Sequence, residues 1–219
     1  MTTWGVLFDM DGVLVDSASL HVRAYEHVFR AVGLDFPDVA RDAVLSGKAR
    51  SQVLDLALPE AKADLRRRLS EAKPGALEIV LGDQADCSIP GAIETVRALA
   101  RAGVPMAVVT NSRSPDIWIK KIGISDQIRV IVTGDDVSSP KPSAEGYLLG
   151  AERLGLAPDH CLAIEDSHDG WSAAKSAGMQ VAVVAEQRPG WLDAETEVMH
   201  RLDASRISRL LAISSAARR

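Results

Sequence analysis

Two aspartates, Asp9 and Asp11, flank a single residue directly after the apolar run Val6-Leu7-Phe8. A strand sends successive side chains to opposite faces, so both carboxylates project to one side of its carboxyl end and Met10 to the other. In an open parallel α/β sheet, that end is where ligands bind. Carboxylates this close repel unless a cation or a shared proton relieves them. The chemistry implied is metal-assisted phosphoryl transfer. A calcium loop also opens Asp-x-Asp, but it requires Gly at its sixth position and Glu at its twelfth. Here Gly12 comes fourth and Val13-Leu14-Val15 is apolar, which excludes that reading.

Three later segments supply what such a site would otherwise lack. Met106-Ala107-Val108-Val109 runs into Thr110-Asn111-Ser112, and Ser114-Pro115 then opens a helix as N-cap and first residue. A strand end, a hydroxyl and a helix start together suit an anion. Ser139-Pro140-Lys141-Pro142-Ser143 sets one lysine between two prolines, whose restricted backbone holds Lys141 in place ahead of a helix that Ser143 can cap. Cys161-Leu162-Ala163-Ile164 ends in Glu165-Asp166, oxygen donors suited to a hard cation. Each segment alone has an ordinary explanation as a turn, a solvated lysine or a helix-start charge pair. Their joint order, each at the end of an apolar strand, points to one site.

The order Asp-x-Asp, Thr, Lys, Glu-Asp resembles the four signature motifs of the haloacid dehalogenase superfamily, over nearly the whole chain. The resemblance implies that Asp9 is a nucleophile forming an aspartyl-phosphate and that Asp11 is the general acid and base. It implies further that Thr110 binds the transferring phosphoryl group and that Lys141 holds nucleophile and phosphate together. Mg2+ would be held by Asp9, Asp11 and Asp166, with Glu165 as a ligand or beside one. Asp11 places the chain with the phosphotransfer branch rather than the dehalogenases. Within that branch, Asp16 to Tyr25 is similar to the first cap helix of β-phosphoglucomutase-like enzymes, and implies that His21 assists the second aspartate. Gly47-Lys48-Ala49-Arg50 is similar to their Gly-x-x-Arg loop, so Gly47 and Arg50 are expected at the substrate's distal anionic group. Lys73 corresponds to their cap lysine, although Pro74 stands where that branch usually has Asn. Thr110-Asn111-Ser112 is more similar to phosphatases than to the mutase, and Asn111 and Ser112 are expected to bind substrate. The expected activity is Mg-dependent hydrolysis of a small phosphorylated metabolite, a sugar phosphate. A sugar phosphomutase is the alternative, and a non-catalytic phosphometabolite-binding module the remote one.

The elements that must position these residues follow from periodicity. Strands are expected at Val6–Phe8, Met106–Thr110, Val130–Val132, Leu162–Glu165 and Val181–Val184. Helices alternate with them at Ala92–Ala102, Pro115–Ile122, Ala144–Leu154 and Trp171–Ala177. Such alternation implies α/β architecture, a Rossmann-like doubly wound parallel sheet. Between the first strand and the rest the pattern is helical throughout: Ala18–Val32, Asp38–Leu45, Ser51–Leu58, Glu60–Lys73 and Ala76–Leu81. Residues 1–16 and 89–219 are therefore expected to form the core. Residues 17–88 form an inserted helical domain, which in the family resembles a cap. Ser214 to Arg219 reads as a loose tail.

Composition sets the outer limits. At 219 residues, 47% hydrophobic and 25% charged, the chain is ordinary for a globular protein. A net charge of -5 argues against a nucleic-acid partner. The basic run Arg66-Arg67-Arg68 lies among acids and leucines, as on a solvated helix face. Cys87 and Cys161 have no metal-site spacing. No apolar leader and no membrane-length run occurs, so a cytoplasmic enzyme is expected, without a membrane partner and as a monomer or weak dimer.

Overall fold

Gly5–Phe8 are buried along their whole length and form β1, the strand around which the other five are arranged. The computed structural model describes residues 4–59, 63–82 and 87–217, with side chains to 212. After β1 come α1 (Ala18–Arg30), α2 (Asp38–Leu45), α3 (Arg50–Ala57) and α4 (Ala63–Gly82). Then α5 (Ala92–Arg101), β2 (Met106–Val109), α6 (Pro115–Lys121), β3 (Val130–Val132), α7 (Glu145–Leu154), β4 (Cys161–Glu165), α8 (His168–Ser176) and β5 (Gln180–Val184) alternate. β6 (Glu197–Met199) and α9 (Ala204–Ala217) complete the chain.

The six strands lie in the order β3-β2-β1-β4-β5-β6, and every neighbouring pair is parallel. The chain leaves β1 toward β2 and β3, then returns to the far side of β1 to lay down β4. That reversal opens a crevice between the carboxyl ends of β1 and β4, where doubly wound sheets bind ligands. Register carries the argument to single residues. Phe8 pairs with Val108 and with Ile164, so Asp9, Thr110 and Glu165 emerge at one edge of the sheet. Leu7, Val109, Val132, Tyr147, Ala151 and Ala163 belong to the buried cluster beneath that edge. Gly150 makes the packing of α7 possible, because a Cβ there would stand 2.8 Å from Leu7 and 3.1 Å from Val109.

The chain forms two compact units, Met1–Val15 with Ser88–Arg219, and Asp16–Cys87. The ends of the second unit meet: the Asp16 amide donates to the Cys87 carbonyl at 2.8 Å. Val15 and Ser88 form an antiparallel bridge within the first unit. Inside the second unit α1 packs along α4. Its apolar stripe of Tyr25, Val28 and Phe29 is buried, and Phe36 stacks on Tyr25 with ring centroids 5.0 Å apart.

Several boundaries differ from the sequence reading. Two helices expected at Glu60–Lys73 and Ala76–Leu81 are one, α4, which runs through Pro74. Glu60, Ala61 and Lys62 lie outside the described residues. β6 was too short to register as a periodic run, and Ser214 to Ala217 continue α9 rather than forming a tail, while residues 218 and 219 lie outside the description. Both cysteines are buried and unbridged. Among the described residues no helix is long and apolar enough to cross a membrane.

The segment that delivers Lys141 is pinned on both sides. The Thr133 amide and hydroxyl donate to Asp136 Oδ2 at 2.8 and 2.6 Å, and Arg153 of α7 donates to its Oδ1 at 2.7 Å. Glu145 accepts from the amides of Ser138 and Ser139 at 2.8 and 2.9 Å. The hydrogen bonds from Thr133 and then Arg153 lower the Asp136 carboxyl to about 2. A carboxyl held lower when folded than when unfolded adds stability above its unfolded value near 4, and that contribution fades as pH falls toward 2. Asp136→Asn should therefore cost about 1 kcal/mol at pH 7. The Tm difference from the parent should shrink in thermal scans taken stepwise from pH 6 to pH 3, and a constant difference would count against this account.

Candidate active site

Lys141 is the centre of the arrangement. Its ammonium sits 2.5 Å from Asp9 Oδ1 and 2.6 Å from Glu165 Oε1, with only 7% of the side chain exposed. Burial alone would drive the proton off this lysine, but Asp9 and Glu165 overcome that and raise its pKa. The backbone is fixed too, since the Lys141 amide donates to Asn111 Oδ1 at 3.0 Å. Asn111, expected at the substrate, thus spends its amide oxygen on holding the lysine segment. Ser112 accepts from the Ser114 amide at 3.4 Å, and Ser114 itself makes no side-chain cap bond to α6. Ser143 accepts from the Glu145 amide at 3.3 Å just ahead of α7.

Glu165 is fully buried, and each of its oxygens is occupied. Oε1 accepts from Lys141 and from the Tyr147 hydroxyl, both at 2.6 Å. Oε2 accepts from the Asp166 amide at 3.3 Å and the Ser167 hydroxyl at 3.2 Å. Burial, and then the charge of Glu165, push the Tyr147 phenol well above its ordinary value, so it stays a donor. Gly170 provides the room: a Cβ there would lie 2.0 Å from the Glu165 carboxyl. Sequence pattern alone assigns no role to Tyr147, Ser167 or Gly170. Tyr147 stands on the apolar face of α7 like any core aromatic, and only its partner reveals the hydroxyl's purpose.

Asp9, Glu165 and Asp166 place one oxygen each within 4.8 Å of one another, the arrangement among the described residues that could hold a metal ion. The electrostatics fit that use. Burial, opposed by Lys141 and reinforced by Glu165, Asp166 and Asp11, holds Asp9 well above the usual carboxylate range. Burial and Glu165 raise Asp166 to about 7, against the pull of Lys141. One ammonium cannot balance this many carboxylates, so a hard cation would relieve the excess. Gly12 brings the last donor close: it adopts φ +80, and a Cβ would fall 1.9 Å from Asp166 Oδ2. Asp11 faces Thr110, whose hydroxyl lies 3.5 Å from Asp11 Oδ2 while accepting from the Ser112 amide at 3.0 Å.

The residues expected on the inserted segment all lie in the second unit. Lys73, buried on α4, places its ammonium 2.9 Å from His21 Nδ1 and 5.2 Å over the Tyr25 ring. An ammonium donates, so Nδ1 accepts and the ring hydrogen sits on Nε2. Arg50 opens α3 and donates to the Ser70 carbonyl at 3.1 Å. Gly47 takes φ +73 with open space around it, so its role is the turn rather than a close approach. His21 and Lys73 thus meet directly, and the guanidinium of Arg50 is bound to backbone.

Comparison with known proteins gives the family. The chain is 32% identical over 210 residues to hexitol phosphatase A of Escherichia coli (strain K12), covering 94% of each. It is 30% identical over 183 residues to fructose-1-phosphate phosphatase YqaB of the same organism, covering 82% of this chain and 95% of that protein. The fold superimposes on the crystal structure of β-phosphoglucomutase from Clostridium difficile with a TM-score of 0.81 at 22% identity, over 98% of this chain and 100% of that one. The model of the haloacid dehalogenase-like hydrolases matches residues 6–184, from the first strand to the end of the fifth, and the chain belongs to that family.

Proposed function

We propose that the protein is a Mg2+-dependent phosphatase acting on a small sugar or sugar-alcohol phosphate through an aspartyl-phosphate on Asp9. The observation that carries this reading is the buried Asp9–Lys141–Glu165 chain at the sheet's reversal point. The relatives named for hexitol and fructose 1-phosphate support the substrate class. Asp9 and Asp166 would hold the metal, with Glu165 beside them. Bound there, Mg2+ would supply positive charge against the phosphoryl oxygens.

The chain's own groups divide the work. Lys141 holds Oδ1 of Asp9, so attack on phosphorus falls to Oδ2. As the Asp9–phosphorus bond forms, the ester oxygen departs and takes a proton from Asp11. Asp11 then removes a proton from water, which attacks the same phosphorus and releases inorganic phosphate and the Asp9 carboxylate. Thr110 donates toward the phosphoryl oxygens, and Lys141 keeps its charge throughout because its carboxylate partners raise its pKa. His21, Arg50 and Lys73 are the substrate-selecting side chains, supplied by the inserted unit.

Asp9→Ala should lower kcat by at least about 10³-fold. Phosphorus NMR of fructose 1-phosphate with the parent protein should show inorganic phosphate accumulating. Isomerisation of β-glucose 1-phosphate to glucose 6-phosphate without phosphate release would instead make the protein a mutase, and no turnover of any ester would leave only binding. Removing divalent cations with EDTA should abolish hydrolysis of p-nitrophenyl phosphate, and added Mg2+ should restore it; activity that survives chelation would refute the metal assignment. Tyr147→Phe removes one donor from Glu165 and should lower kcat roughly tenfold, the worth of a buried hydrogen bond to a charge. An unchanged kcat would make the phenol mere packing.

A further inference from the structure

Pro74 lies inside α4, four residues after Ser70. Proline has no N–H, so the Ser70 carbonyl loses the helix bond that residue 74 would ordinarily make to it. A half-buried carbonyl without a partner is costly. The structure shows what takes the vacant position: Arg50 Nη1 donates to Ser70 O at 3.1 Å. We propose that Pro74 is a positioning residue for Arg50, its missing N–H releasing a backbone acceptor that holds the guanidinium.

The surroundings explain why such a device is needed. Arg50 starts α3 on a backbone already set by Gly47 at φ +73 and by the Ala49 amide, which donates to Gln52 Oε1 at 3.1 Å. That fixes the base of the side chain and leaves the long arm to be oriented. The Lys73 ammonium sits over the Tyr25 ring, 5.2 Å from its centroid. Pro74 also directly follows Lys73, so one stretch of α4 sets both cations: Lys73 through its side chain on His21, Arg50 through the freed carbonyl.

The consequence for selectivity rests on the proposed role of Arg50 in gripping substrate, whereas the positioning itself does not. Pro74→Ala restores the N–H and favours helix, so the variant folds. In the parent, the Arg50 guanidinium hydrogens should give slowly exchanging nitrogen-15-correlated signals, identified by their loss in Arg50→Ala. In Pro74→Ala those signals should broaden or vanish as Ser70 O returns to the helix ladder. Signals unchanged in Pro74→Ala overturn the inference, whatever the kinetics. The ratio of kcat/KM for fructose 1-phosphate to that for p-nitrophenyl phosphate should fall about fivefold in Pro74→Ala, through KM, as expected for a loosened charge-assisted contact. It should fall further in Arg50→Ala, and Pro74→Ala added to Arg50→Ala should change nothing more. Mobile Arg50 signals with no change of ratio in Arg50→Ala uphold the positioning by Pro74 and overturn the substrate role of Arg50 alone.

Discussion

A buried ammonium between two carboxylates is the interaction on which the rest of this protein depends. Left alone in the interior, Lys141 would lose its proton. With Asp9 and Glu165 at 2.5 and 2.6 Å, it keeps its charge. Such a triplet tolerates little displacement, because removing any partner leaves an uncompensated buried charge. The surrounding structure can be understood as the means of holding it: three parallel strands ending at one level, a lysine segment clamped by Asp136, Glu145 and Asn111, and a tyrosine that closes Glu165 from below.

Space is the second constraint. Carboxylates can crowd together only where backbone yields room. Gly12 and Gly170 are the places where it does, each lying where a methyl group would occupy the volume of Asp166 or Glu165. Neither glycine touches a ligand in any obvious sense, yet the site exists only because both lack a side chain. The relation is reciprocal, since the charge cluster gives these glycines their purpose and they give it its density.

How much of this was legible depended on range. Asp9, Asp11, Thr110, Lys141, Glu165 and Asp166 announce themselves through local grammar, because each follows an apolar run or sits between prolines, and strand alternation fixes where the side chains point. The parallel sheet followed from regular alternation of elements. Tyr147 was illegible because its importance comes from a residue eighteen positions away on another element. Asn111 was legible as a site residue but not as the partner of the Lys141 backbone, for the same reason. The sequence divides α4 in two, because a proline ordinarily ends a helix. Tertiary packing carried it through Pro74, with Arg50 meeting the stranded carbonyl. β6, with three residues, has too little pattern to distinguish it from a loop.

The inserted unit begins and ends at adjoining points, Asp16 bonded to Cys87 and Val15 bridged to Ser88. To the sheet, therefore, the whole of Asp16–Cys87 is a single long connection whose ends are already closed. The entropy of closing a loop grows only with the logarithm of its length, and doubling it costs roughly 0.6 kcal/mol. The chain between those two pairs can therefore be lengthened, shortened or exchanged for another self-contained fold without disturbing the strands that carry Asp9 and Glu165. On the proposed reading, in which the inserted unit supplies the substrate-selecting side chains, a change in what is accepted leaves the strands that carry the transfer untouched.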